Sequence, residues 1–177
     1  MFYSLIFTIL IIIGSQISID VPMSPVPIVL ANFFTLLAGL MLGKKWGTVS
    51  VIIYLALGAI GFPVFADATG GMDILFGKTG GYLFAYVIST FLVGTICEYG
   101  IRSWKKDLLA LIVGVLTFFV IGLPWLKISL ALSWKDAFIF GCKPYLVGAC
   151  IKVALALLVA QIFLRRHRSL NTINGYH

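Results

Sequence analysis

Apolar residues run through the chain in long blocks separated by short polar or Gly/Pro-rich interruptions. The first block, Tyr3 to Ile19, is roughly 17 residues, near the lower limit for a helix crossing a bilayer. It has no basic leader and no small-x-small cleavage site, so it predicts a retained helix rather than a signal peptide. Asp20 to Pro27 follows, and its prolines Pro22, Pro25 and Pro27 bias their predecessors toward extended backbone, predicting a stiff connection. Further apolar blocks cover Ile28–Leu42, Thr48–Ile60, Gly80–Cys97, Leu108–Ile121 and Tyr145–Leu164. Lys127–Lys143 is a partly polar connector whose Ser133–Phe140 stretch predicts a short interfacial helix. The pattern predicts an all-α integral membrane protein, a compact bundle of six transmembrane helices. It forms one domain over residues 1–168, followed by a loosely ordered polar tail over 169–177.

The longest interruption runs from Gly58 to Tyr82 and holds Gly58, Gly61, Gly70, Gly71, Gly77, Gly80 and Gly81 together with Pro63. Non-helical backbone at membrane depth must be buried in protein or line a cavity, because lipid cannot satisfy its polar groups. This segment therefore predicts the wall of a ligand pocket, with the helices as its scaffold.

Composition agrees: 61% of residues are hydrophobic and 11% charged, against roughly 25% charged in a soluble domain. The net charge of +7 does not describe a nucleic-acid-binding face, since the basic residues sit in short clusters beside apolar blocks. Lys44, Lys45, Arg102, Lys105, Lys106, Arg165, Arg166 and Arg168 fall between the second and third blocks, between the fourth and fifth, and after the sixth. The positive-inside rule places these clusters, and with six spans both termini, in the cytoplasm of a cell whose inner (plasma) membrane holds the bundle. Asp20, Asp67, Asp73 and Lys78 then face outward, and so does the pocket.

Candidate chemistry is sparse. Cys97, Cys142 and Cys150 have no metal-ligand spacing, and His167 and His177 both lie near the C-terminus. Gly77-Lys78-Thr79 ends like a P-loop, but the glycine that motif needs five residues earlier is Met72. No catalytic dyad or triad is visible at membrane depth, so no enzymatic activity is expected. Lys152, inside the sixth block, is an intramembrane cation that either snorkels to the headgroups or faces the pocket, where it suits an anionic ligand such as a carboxylate. Gly80-Gly81-Tyr82 opens the fourth helix, either as an anion-friendly helix start or as a tight packing site. Asp67 and Asp73 either accept from ligand N–H groups or are solvated loop acids. Asn32 either hydrogen-bonds in the pocket or joins two helices. Tyr82, Tyr86, Trp125, Phe62, Phe65 and Tyr145 supply aromatic surface suited to packing or to a small ring. Gly39-x-x-x-Gly43 allows close helix approach.

Several stretches together resemble the BioY family, the biotin-binding S components of energy-coupling factor (ECF) transporters. They are Pro25-Val26-Pro27-Ile28-Val29-Leu30, Leu36-Leu37-Ala38-Gly39, Gly58-Ala59-Ile60-Gly61-Phe62-Pro63-Val64-Phe65 and Gly77-x-Thr79-Gly80-Gly81-Tyr82-Leu83. Gly14-x-Gln16-Ile17-Ser18-Ile19 and Gly122-Leu123-Pro124-Trp125-Leu126 extend the likeness along the chain. The resemblance implies six helices that capture biotin from outside, with no cofactor. It also implies a transmembrane T component and two ABC-type ATPases as partners. Lys152 would meet the valerate carboxylate, with Asn32, Asp67, Gly80, Gly81, Tyr82 and Tyr145 as further ligand-binding candidates. Two positions depart from the family pattern: Ala31 stands where a Gln is usual, and Ala149 where an Asp is typical. They keep open the alternatives of a different small vitamin or ring compound, or of a stand-alone carrier. Around Thr8 and Ile12 the first helix is bulkier than the alanine-lined docking face of the family.

Overall fold

The computed structural model describes residues 2–22 and 24–173. Its helices are α1 (Phe2–Gln16), α2 (Ala31–Ala59), α3 (Met72–Leu75), α4 (Gly80–Glu98), α5 (Trp104–Ser129), α6 (Trp134–Gly141) and α7 (Tyr145–Ile173). Among the described residues, four segments are long and apolar enough to cross a membrane: α2, α4, α5 and the Tyr145–Ile162 part of α7. Helix α1 is a shorter apolar helix.

Helix α2 contains what the hydropathy pattern predicts as two spans. Its one non-helical residue is Gly43, at φ 75° and ψ −176°, so the break is a single residue and Lys44-Lys45 already belongs to the second half. In an unbroken helix, residues nine apart stand ~13.5 Å apart along the axis. Here a Cβ on Gly47 would lie 2.7 Å from the Ala38 carbonyl oxygen, so the chain folds back at Gly43. Helix α1 confirms the reversal. Its C-terminal end meets the start of α2 through the Leu30 N–H donating to the Gly14 carbonyl at 3.0 Å. Its N-terminal half meets the part of α2 after Gly43, where Ser4 donates to the Trp46 carbonyl at 3.1 Å and Thr8 to the Ser50 carbonyl at 2.9 Å. The helical N–H freed at Lys44 donates to Glu98 Oε1 at 2.9 Å. A Cβ at Gly43 would stand 2.0 Å from that oxygen on a backbone reserved for glycine. Gly43→Ala is therefore expected to cost about 1–3 kcal/mol. The check is a thermal-unfolding midpoint in detergent several degrees below wild type.

Helix α4 packs closely on the first half of α2: a Cβ on Gly39 would lie 2.6 Å from the Thr90 carbonyl oxygen, and the Thr90 hydroxyl donates to the Thr35 carbonyl at 3.1 Å. Helix α5 follows antiparallel, tied by the Ser89 hydroxyl to the Gly114 carbonyl at 2.9 Å. It does not end at Ile121, as the Gly122–Trp125 break predicts, but continues through Pro124 to Ser129. Proline leaves one helical carbonyl without its donor, a loss that packed apolar helices tolerate. Trp125 anchors that last stretch by donating from its indole N–H to the Gly77 carbonyl at 2.9 Å.

The first span ends earlier and the second begins later than the apolar blocks suggest. Ser18–Ile19 pairs antiparallel with Ile28–Val29, in the register Ser18 with Val29 and Ile19 with Ile28. Backbone pairing thus takes residues that hydropathy assigns to helices, and the prolines lie in the connecting loop. Helix α6 corresponds to the expected short helix over Ser133–Phe140, capped by Ser133 accepting from the Asp136 N–H at 3.1 Å. Helix α7 runs on to Ile173, past the basic residues that end its apolar block. Of the expected loose tail, residues 174–177 lie outside the described residues.

At the end of the bundle opposite the Gly58–Tyr82 segment, one carboxylate joins several helices. Asp107 is fully buried. Its Oδ1 accepts from Arg102 Nε at 2.9 Å, its Oδ2 accepts from Gln161 at 3.1 Å, and the Arg102 guanidinium also donates to the Leu40 carbonyl at 2.7 Å. The sequence shows Asp107 only as one charge in a polar connector. Its burial comes from the convergence of α2, α5 and α7.

Candidate ligand-binding cavity

A cavity of about 370 Å³ opens at the loop-rich end, between α2, α4, α5 and α7 and beneath the Asp20–Val29 and Phe65–Thr79 segments. Aromatic rings make up part of its walls. Tyr54 meets Phe65 edge-on with ring centroids 5.5 Å apart, and Tyr86 meets Phe118 likewise at 5.4 Å.

Lys152 enters this wall from α7. Its ammonium donates to the Val29 carbonyl at 2.6 Å and to Asn32 Oδ1 at 2.8 Å. An ammonium has three donors, so one remains for something in the cavity. The ion pairs among the described residues are Lys44–Glu98 and Arg102–Asp107, which leaves Lys152 with neutral partners. A half-buried cation so placed attracts an anion strongly, since a charge-assisted hydrogen bond there would be only weakly screened. Asn32 joins α2 to α7 through Lys152, and it also lines the cavity.

Tyr145 and Tyr82 also line the cavity, yet both hydroxyls are engaged. Tyr145 donates to the Val26 carbonyl and contacts the Ser24 hydroxyl at 2.8 Å, fastening the proline-rich loop to α7. Tyr82 donates to the Gly141 carbonyl at 2.9 Å, fastening α4 to α6. Asp67 sits at the rim with left-handed backbone (φ 57°, ψ 34°) and accepts from the Ser18 hydroxyl at 2.8 Å.

Gly80 and Gly81 are placed differently. Both are buried away from the cavity lining. A Cβ on Gly80 would lie 2.1 Å from the Leu75 carbonyl oxygen, and one on Gly81 2.2 Å from the Trp125 Cβ. The N–H groups of Gly80, Tyr82 and Leu83 are already bonded to the Gly77 and Thr79 carbonyls. Neighbouring atoms thus crowd both Cβ positions, which favours the packing role for these two glycines. Asp73, Phe62 and Trp125 likewise lie outside the lining, whereas Asp20 and Lys78 belong to it.

Sequence reasoning passed over the end of α1 as a site element. Gln16 donates to the Phe65 carbonyl at 3.0 Å and accepts from the Ala68 N–H at 3.0 Å, while the Ser15 hydroxyl donates to the Val64 carbonyl. Together they clasp the loop that forms the rim. Two polar residues closing an apolar helix were the available signal. Of the two departures from the family pattern, Ala149 lines the cavity and Ala31 does not.

Apolar helices around a partly aromatic chamber, with a neutral-partnered cation in its wall, define a class: a helical membrane protein built to hold a small molecule. The chain belongs to the BioY family, whose profile matches residues 1–169. "Probable biotin transporter BioY" of Pyrococcus horikoshii is 38% identical over 156 residues, covering 88% of this chain and 90% of the relative. "Biotin transporter BioY" of Thermotoga maritima is 38% identical over 155 residues, covering 88% and 89%. Among solved structures, the S-component for biotin from an ECF-type ABC transporter superposes with a TM-score of 0.86 at 31% identity, covering 93% of this chain and 89% of that one.

Proposed function

We propose that this chain is the substrate-binding membrane subunit of an ECF-type vitamin uptake transporter, and that it captures biotin from outside the cell. The observation that carries the reading is Lys152, a cation with neutral partners in the wall of an aromatic cavity. Biotin combines a compact ring system with a carboxylate on a flexible chain. The aromatic walls suit the rings, and the free donor of Lys152 suits the carboxylate. Pockets for small ligands run from about 300 to 1,000 Å³, and a volume of about 370 Å³ admits one compact molecule. Asn32 holds Lys152, while Asp67, Tyr82 and Tyr145 order the rim and walls.

In this reading the chain crosses the membrane six times, through α1, the two halves of α2, α4, α5 and α7. The fold-back at Gly43 supports the count. Lys44, Lys45, Arg102, Lys105 and Lys106 gather at the end away from the cavity, which supports a cytoplasmic placement of that end and of both termini, with the cavity facing outward. Residues 1–168 act as one domain. Uptake depends on a transmembrane T component and two ABC-type ATPases, which supply the ATP hydrolysis that this chain lacks. A second reading, an S component for another small ring compound, draws on Ala149, which offers the cavity a methyl group and no acceptor.

The test is calorimetric titration of the detergent-purified full chain. Saturable heat with biotin is expected. No binding at about 1 mM biotin would sink biotin as the ligand and leave the second reading.

A further inference from the structure

Helix α7 carries Lys152, yet it is only lightly held. Leu146, Val147, Ile151, Leu155, Leu158 and Ile162 are exposed, and its fully buried hydrophobic side chains among the described residues are Ala156 and Ala160. Alanines bury little area and grip a neighbour weakly. Val153, Leu157 and Val159 add partly buried contacts with the core, and polar ties fix the rotation and axial level that these smooth aliphatic contacts leave loose. Beyond Tyr145 at its start, they are Lys152 to Val29 and Asn32, and Gln161 to Asp107.

Those two ties pull in different directions. At 100° per residue, side chains nine positions apart leave a helix on roughly opposite sides, ~13.5 Å apart along the axis. Lys152 reaches toward α2 and Gln161 toward α5, so neither a turn nor a slide of α7 can occur without breaking one of them. The Gln161 end is the fixed one: Asp107 is fully buried and held by Arg102, which is itself bonded to the Leu40 carbonyl.

We propose that Gln161 is a positioning residue for the cavity. Its hydrogen bond to Asp107 sets the register of α7 and so holds the Lys152 ammonium at Val29 and Asn32, where it faces the ligand. The last clause rests on the reading of Lys152 as the carboxylate partner.

The experiment uses the full chain in detergent and begins without ligand. Methyl acetimidate, a small amine-directed reagent, labels lysines, and peptide mass spectrometry gives the rate at each one. Gln161→Met keeps the length of the side chain and removes its donors. It is expected to speed labelling of Lys152 about five-fold, the change that losing one hydrogen bond allows. Lys78, at the rim of the same cavity, is expected to keep its wild-type rate. Gln161→Lys restores a donor to Asp107 and returns Lys152 to the wild-type rate. Should Gln161→Met fail to fold, Gln161→Asn, one methylene short, carries the same expectation. An unchanged Lys152 rate, equal acceleration of Lys78, or no rescue by Gln161→Lys overturns the proposal. With biotin and its methyl ester as probes, Gln161→Met is expected to narrow the preference for the free acid, and to have no further effect on a Lys152→Ala background. Wild type that binds neither probe would sink the biotin reading, while the ligand-free labelling still decides the role of Gln161.

Discussion

Lys152→Ala is expected to lower the affinity for biotin by about 100- to 1,000-fold, or ~3–4 kcal/mol. Among the described residues, its ammonium is the one cation that lines the cavity from a long apolar helix, and it already has an amide and a carbonyl as partners. A carboxylate arriving there exchanges its water for one charge-assisted hydrogen bond. Truncating one member of a buried charge pair costs about 2–5 kcal/mol, much of it from leaving the other charge unpaired. The variant also leaves Asn32 Oδ1 and the Val29 carbonyl without their donor. Titration calorimetry with biotin and its methyl ester separates these effects. The acid is expected to lose its advantage over the ester, and the ester to bind both proteins alike. Equal affinity of wild type and variant for biotin would remove Lys152 from the site.

Asp107→Ala is expected to destabilise the bundle by about 3 kcal/mol, the lower part of the range for breaking a buried ion pair. The lower part applies because the Arg102 side chain keeps 26% of its surface exposed while Asp107 has none, so water can partly solvate the abandoned guanidinium. Gln161 loses its acceptor at the same time. For a chain of this size the loss corresponds to a fall of about 6–12 °C in the unfolding midpoint. Asp107→Asn keeps an acceptor and is expected to cost roughly half as much. Scanning calorimetry of the detergent-solubilised proteins provides the check, and a midpoint within a degree of wild type for Asp107→Ala would show that the network adds nothing to stability.

Both residues are charges next to or inside apolar helices, but they differ in how they could be recognised. Lys152 stands out in the sequence because an ionisable group in a long apolar block is expensive there and has to find a partner. Asp107 does not, because it sits in a short stretch with Arg102, Lys105 and Lys106 that reads as an ordinary solvated connector. Gly80 and Gly81 show the reverse difficulty. Their pattern fits a helix start that receives an anion and a tight packing site equally well, and only the position of Trp125 and of the Leu75 carbonyl favours packing.

The sequence alone determined that the chain is a membrane protein of apolar helices, that a Gly-rich segment interrupts them, and that Lys152 is a cation inside an apolar block, in need of a partner. It also carried the family likeness. These are consequences of local composition: a bilayer demands long apolar runs and internally bonded backbone. Only the tertiary structure decided that Gly43 by itself reverses α2, that α5 passes through Pro124, that Gln16 clasps the rim, and that Asp107 joins α7 to the bundle. Each depends on a partner far away in sequence, as in Gln16 with Phe65, Gln161 with Asp107 and Lys152 with Asn32. A polar side chain announces that it needs a partner, and the packing of the helices decides which one it meets.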